Sequence, residues 1–375
     1  MKIQLALAAG LAAAALVIPA GPAGAGSDPE HAMPRTLAEG LAGPLSLTVT
    51  YDEKTVLVTQ NFAGLLSRVN NDGSTTALYQ GAEGWGVGGV QTRHGTRYFV
   101  ENTGAGEGDP AALKGWLKSL EPDGDVHDLA DLASYEREKN PDGAQHYGFG
   151  SEVPDACLAE WPAFPPVRYQ GGLDSNPYAV AIRGGKAYVA DAGANAILEV
   201  DIDTGDVDTL AVLPPRPAVI PAGTRIPVDM AGNTVEVPAC VVGHEYAFEP
   251  VPTDLEFGPD GRLYVTSLPG GPEDPSLGAR GAIFRVNPST GSVKVWAEDL
   301  LSPTGLAVAD DGDVYVASMF GNEIIEIDDS GSDRKQFLAV DGPAAVEIRG
   351  KTLYATVGFS FADPTQGKVI KAGIG

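Results

Sequence analysis

Cysteine is nearly absent from this 375-residue chain: Cys157 and Cys240 are the only two. That excludes a disulfide-scaffolded miniprotein and any C-x-x-C redox or metal pair. Histidine is scarce as well, with five residues and no two at a zinc-ligand spacing. Basic residues are the third shortage, since 25 Lys and Arg face 50 Asp and Glu, a net charge of −25. Phosphate backbones and anionic lipids are repelled by such a surface, so nucleic acid and membranes are poor partners, and cations or neutral ligands fit better. No G-x-S-x-G nucleophile elbow occurs. Beyond residue 20 no apolar run is long enough to cross a bilayer.

What is present begins with an export pattern. Lys2 precedes an apolar stretch from Ile3 to Ala20, and Ala23-Gly24-Ala25 is an A-x-A cleavage site. Residues 1–25 therefore read as a signal peptide and 26–375 as one secreted domain. In an exported chain two cysteines predict one disulfide, Cys157 to Cys240.

The phrase "AYVADAGANAILEVD" at 187–201 returns as "VYVASMFGNEIIEID", with Tyr188/Tyr315, Asn195/Asn322 and Glu199/Glu326 in register. Six such units occur, opening near Gly43, Gly86, Asn176, Val251, Ser302 and Gly342. Each reads strand, tight turn, strand, then a third strand such as "GAIFRVN" and usually a fourth such as "VKVWAEDL". Six units of four strands predict an all-β, six-bladed β-propeller. The last unit stops after its third strand, "GKVIKAGI", while "TLAEGLAGP" from Thr36 looks like the fourth-strand exit "VWAEDLLSP". The N-terminus is thus expected to supply the missing outer strand of the last blade, closing the ring without an open edge.

One slot, just before the third strand, holds Gly64, Gly115, Asn195, Gly281, Asn322 and Gly367. Gly and Asn reach positive φ most cheaply, so a left-handed bend is predicted there in every unit. The slot before the first strand holds Pro44, Val87, Pro177, Pro252, Pro303 and Pro343.

The wording "P-T-G-L-A-V…D-G-D-V-Y-V-A-S…N-E-I" resembles NHL-type repeats. With "GGPEDPSLGARG" at 270–281 and "FEPVPTD" at 248–254, the chain resembles the ScyD/ScyE family of exported proteins, named from scytonemin-pigment gene clusters. The resemblance implies an exported propeller. From the family's name alone comes one further reading, an oxidoreductase accessory for an aromatic pigment-like metabolite.

In a blade the strand 1–2 and 3–4 turns share one face, and here all are short, such as "RGGK" and "DTGD". The long insertions fall on the other face: 103–112, 268–280, and two inter-blade excursions at 130–172 and 214–250. Long ordered loops commonly bind or cover, so this looped face is the expected functional one. Each cysteine lies in one excursion, so the disulfide would staple the two. "LADLASYEREK", 129–139, predicts a short helix, and the Pro-rich flanks "AFPPVRYQGG" and "LPPRPAVIPAG" predict irregular chain.

At this face the second strands end on Gln60, Asn102, Asp191, Ser267, Ser318 and Val357. If these face the channel, a polar ring surrounds its mouth. Asp191, with Asp254 at the start of a first strand, is then the candidate pair for a divalent cation such as Ca2+. Tyr178 and Trp85, with Trp161, Tyr147 and Tyr246, would line the mouth for a planar or sugar-like ligand. His146 and His244 are possible general bases in the excursions. Propellers with related repeats include metal-dependent lactonases and esterases, which place Asn or Asp just after the first-strand proline. Here that slot holds Leu45, Gly88, Tyr178, Thr253, Thr304 and Ala344. The leading expectation is therefore a monomeric, secreted, non-enzymatic protein binding a small molecule, glycan or protein at its looped face. The alternative is a lactonase/esterase-type hydrolase with a cation in the channel.

Overall fold

The computed structural model describes residues 33–51, 55–162, 165–227, 233–272 and 277–374. The expected signal peptide, 1–25, lies outside them. Among the described residues, the repeats fold into six four-stranded antiparallel sheets, five of them built from strands consecutive in sequence. Their first strands are Ser46–Val49, Gly86–Arg93, Pro177–Arg183, Pro252–Phe257, Pro303–Val308 and Ala345–Arg349. Each of these strands packs beside the next in chain order, and Ala345–Arg349 packs in turn beside Ser46–Val49. The sixth sheet takes Arg35–Leu41 as its outer strand, antiparallel to Gly367–Gly373.

Burial is highest in the second strands and lowest in the outer ones, which explains the sequence pattern. Second strands such as Val56–Gln60, Leu263–Ser267 and Val314–Ser318 are buried at every residue. They are covered on both faces and so read as near-continuous apolar runs. The outer strand Thr75–Gln80 buries none of its residues fully and is largely polar. The apolar clusters lie between successive sheets. Leu57 and Leu66 pack on Val90 and Phe99, Ile283 and Tyr264 on Leu306 and Val316, and Leu47 and Val58 of the first sheet on Tyr354 and Val369 of the sixth.

The expected left-handed slot holds in only half of the units. Gly64, Asn195 and Asn322 have φ of 63°, 52° and 55°. Gly115, Gly281 and Gly367 are not left-handed. They are glycine because the next sheet's leading proline lies against them: a Cβ would sit 3.1 Å from Pro177, 2.3 Å from Pro303 and 2.3 Å from Pro44. Bend and close approach alternate around the molecule, and glycine satisfies both.

The two excursions also depart from expectation. They do not stay irregular but pair into a further four-stranded sheet, in the order Arg168–Gln170, His146–Phe149, Glu245–Phe248, Arg216–Val219. Pro217 is tolerated because its strand lies at the sheet edge. Beneath this cap sheet Phe149, Val153, Trp161, Ile220, Val241 and Tyr246 form a separate apolar core. The Cys157–Cys240 disulfide joins the excursions, with Cα atoms 5.9 Å apart. The expected helix is present as Leu132–Lys139, capped by Asp131, whose carboxylate accepts from the Ser134 amide. No helix among the described residues is long and apolar enough to cross a membrane.

Candidate functional site

The polar residues closing the second strands are turned onto neighbouring chain. Gln60 accepts from the Ala42 amide at 3.0 Å and donates to Ser67 Oγ. Asn102 donates to Asn176 Oδ1 and to the Pro177 carbonyl. The Ser267 hydroxyl donates to the Pro250 carbonyl, and that of Ser318 to Leu301 O at 2.6 Å. Asp191 is the most committed. Its Oδ1 accepts from the amides of Asn176 (2.7 Å), Gly193 (3.1 Å) and Ala194 (3.2 Å), and its Oδ2 from Ser175 Oγ (2.8 Å). These groups fasten the segments that lead into the first strands, so the ring is not one of free ligands. Asp191 is 0% exposed, and burial pushes its carboxyl up to about 6 against the pull of those donors.

The expected aromatic lining is likewise packed away. Trp161 stacks on Tyr246 with centroids 6.0 Å apart, Phe149 meets both edge-on, and the Trp161 indole donates to the Pro165 carbonyl. These rings are the cap's core. Trp85 is half-buried in the turn before the second sheet, and His146 is exposed. Tyr178 does line the channel.

The chemistry on the channel axis comes from the first strands. Residues from all six, together with Leu45 just before the first, surround a cavity of about 30 Å³, lined on its polar side by Asp254, Glu256, Glu347, Gln91, Thr253 and Tyr178. That is room for about one or two water molecules. Asp191 does not line it. Strand alternation explains the set, because Asp254 and Glu256 are two apart and share a side of Pro252–Phe257.

Each of these carboxylates has a defined environment. Asp254 accepts from its neighbour's amide, Leu255 N (2.8 Å), and from Leu306 N on the adjoining sheet (2.9 Å). Glu256 accepts from Val308 N at 2.8 Å, and Ser46 Oγ accepts from Val90 N at the corresponding place between the first two sheets. These amides point off the free edge of a first strand, so side chains from the neighbouring sheet satisfy them. Burial raises Asp254 to about 7, against the two amides. Glu347, also raised by burial to about 7, is held down by the Arg349 guanidinium 3.0 Å away. Glu256 is pushed well above the carboxylate range by burial and by the Glu347 charge. Tyr178 is raised by burial and by Asp254, so it stays a neutral hydroxyl.

The channel does not fit a resident metal. The slot after the leading prolines offers no carboxylate or amide. Among the described residues no group of three or more His, Cys, Asp and Glu is gathered to hold an ion. Sequence reasoning named Asp254 and Tyr178 but missed Glu256 and Glu347. The signal for Glu256 was the period of two from Asp254, and Glu347 occupies the same place in the last repeat.

No family model matches the chain, and no curated protein does. Solved structures do share its fold. A gluconolactonase from Xanthomonas campestris is 12% identical, with 91% of this chain and 89% of that one covered and a TM-score of 0.53. Virginiamycin B lyase from Staphylococcus aureus, an inactive variant with quinupristin, is 16% identical over 92% and 100% at 0.50. A PQQ-bound aldose sugar dehydrogenase from Streptomyces coelicolor is 15% identical over 90% and 96% at 0.50. At these identities the likeness is one of fold, and the fold is of the β-propeller class.

Proposed function

We propose that this chain is a secreted six-bladed β-propeller, its ring closed by the N-terminal strand, and that it is a hydrolase of the lactonase/esterase type working from the central channel. Export rests on the N-terminal pattern, the disulfide and the ScyD/ScyE resemblance. The enzyme reading rests on one observation: a single small cavity is lined by carboxyls whose environments push them apart. At neutral pH Asp254 is part ionised and can take a proton from a water in the cavity, while Glu256, pushed by burial and by the Glu347 charge towards its protonated form, can give one. The cavity holds only the water, so the ester is presented from the channel beside it: the water oxygen attacks the ester carbonyl carbon, the acyl C–O bond breaks, and the leaving alkoxide is protonated by Glu256. The gluconolactonase of the same fold supports this reaction class; its activity belongs to that protein.

The test is a panel of small esters and lactones, with wild type beside Asp254→Asn and Glu256→Gln. We expect a bell-shaped kcat/KM, rising through about pH 7 as Asp254 ionises and falling as Glu256 does. Either substitution is expected to lower the rate about 10²–10⁴-fold. Absence of turnover by the folded protein, or an unchanged Asp254→Asn variant, overturns the reading.

A second reading, a binding propeller, is favoured by the stapled cap sheet. Its edge strand Arg216–Val219 leaves Val219 53% exposed, an edge that an extended peptide could lengthen.

A further inference from the structure

Seven buried side-chain atoms lack a hydrogen-bond partner among the described residues. Four of them are oxygens within one short stretch: both Oε atoms of Glu136, Oδ1 of Asn140 and Oδ1 of Asp142. Glu136 and Asp142 are each 1% exposed. A buried acceptor without a donor costs about 1–3 kcal/mol, more if charged, so four together are not accidental packing noise. With both carboxyls ionised all four are acceptors, and a cation is a partner that would satisfy them together.

The three residues share the end of one helix. Glu136 and Asn140 are four apart, on one side of Leu132–Lys139 and its left-handed cap at Asn140 (φ 42°). Asp142 follows in the turn. Asn140 donates Nδ2 to Gly171 O at 3.2 Å, which leaves its oxygen on the other side of the amide. Asp142 Oδ1 lies against the same glycine, where a Cβ on Gly171 would sit 2.0 Å from it. Asp142 Oδ2 is fixed by Tyr147 Oη (3.0 Å) and Asn195 Nδ2 (2.9 Å), so the free oxygen is held in place. The Glu136 carboxyl is raised to about 9, first by burial and then by the charges of Asp191 and Asp142, against the pull of the Asp174 backbone amide.

We propose that Glu136, Asn140 and Asp142 form the binding site of one hard divalent cation, with Ca2+ as the fitting ion, clasping the cap's first helix to the third sheet. Two carboxylates and an amide supply four side-chain oxygens, and Ca2+ takes 6–8, leaving places for backbone carbonyls and water. The site is separate from the channel carboxylates and does not depend on the hydrolase reading. Its effect is on the cap: the ion would replace Coulomb repulsion at the cap's foot by attraction.

The test uses the full chain, stripped with EGTA and titrated with Ca2+, then with Mg2+, by calorimetry and by thermal unfolding at pH 7.5. We expect one Ca2+ per chain with affinity in the micromolar-to-millimolar range, a raised unfolding midpoint, and a weaker response to Mg2+. Glu136→Gln and Asp142→Asn should each weaken Ca2+ binding about tenfold or more. No saturable heat and no thermal shift in wild type up to about 10 mM Ca2+, beyond the weakest range usual for such sites, overturns the proposal. So does a Glu136→Gln variant that binds as tightly as wild type. A stripped wild type that gains stability on acidification while ignoring Ca2+ would also overturn it, because a shared proton would then be the partner. The wild-type titration decides even if a variant does not fold.

Discussion

Asp191 is the position where fastening and ligation make opposite forecasts. Replacing it by alanine strands four donors, the Ser175 hydroxyl and the amides of Asn176, Gly193 and Ala194. At about 1–3 kcal/mol each the raw loss is about 4–12 kcal/mol, and partial relaxation favours the lower end. Asparagine keeps one oxygen for the three amides and asks only Ser175 to turn, a cost of about 1 kcal/mol. It also removes a buried charge. The Asp191 carboxyl is raised to about 6 from 3.8, so the stability it gains from protonation is complete below 3.8 and lost as pH climbs through 6. That difference amounts to about 3 kcal/mol. Between pH 4 and pH 8 the balance should therefore move by about 3 kcal/mol towards Asp191→Asn, while Asp191→Ala stays low at both. Urea unfolding with the disulfide intact, followed by tryptophan fluorescence at the two pH values, reads both effects. An alanine variant within about 1 kcal/mol of wild type, less than one such bond can cost, would refute the fastening argument and return Asp191 to the pool of free ligands.

Removing residues 33–41 should be far more damaging than an ordinary terminal deletion. It uncovers the Gly367–Gly373 edge and takes Leu41 and Ala38, each 2% exposed, out of the core. Size-exclusion chromatography should show aggregate in place of monomer, and a monomeric, cooperatively unfolding truncation would contradict this. Opening the disulfide with Cys157→Ser and Cys240→Ser frees a loop of 83 residues, a chain-entropy loss of about 4.5 kcal/mol by the loop-closure relation. The loss should appear as early protease cleavage within 140–172 or 214–250 while the six sheets persist. Cleavage starting in the sheets would count against an independent cap.

The repeats were legible because each sheet needs the same strands and turns, and Tyr188/Tyr315 or Asn195/Asn322 fill equivalent places. The glycine slot was legible only as glycine: Gly64 and Gly281 look alike in sequence but answer a φ constraint and a neighbour's proline, respectively. The partners of Asp191 were not legible because an aspartate at a strand end serves equally well as an amide acceptor or an ion ligand, and direction is not written in the sequence. The cap sheet was hidden for another reason. His146–Phe149 pairs with Glu245–Phe248 across about a hundred residues of intervening chain, and Pro217 speaks locally against any strand. Glu136, Asn140 and Asp142 were overlooked because a short polar helix reads as a solvated one, and nothing in "SYEREKNPDG" says that one glutamate turns inward.

The pairing of Arg35–Leu41 with Gly367–Gly373 sets a timetable for the nascent chain. The strand made first must wait for the strand made last, about 330 residues later, which at common synthesis rates is a delay of about 15–65 s. During that interval five sheets can assemble while one early segment has no partner. Its side chains suit a long wait: Arg35, Thr36, Glu39 and Gly40 are exposed even in the finished protein, and only Ala38 and Leu41 are fully buried. A segment so sparing in apolar contacts offers little for a stray strand to seize. The last step of folding is then the capture of the first-made strand by the last-made one.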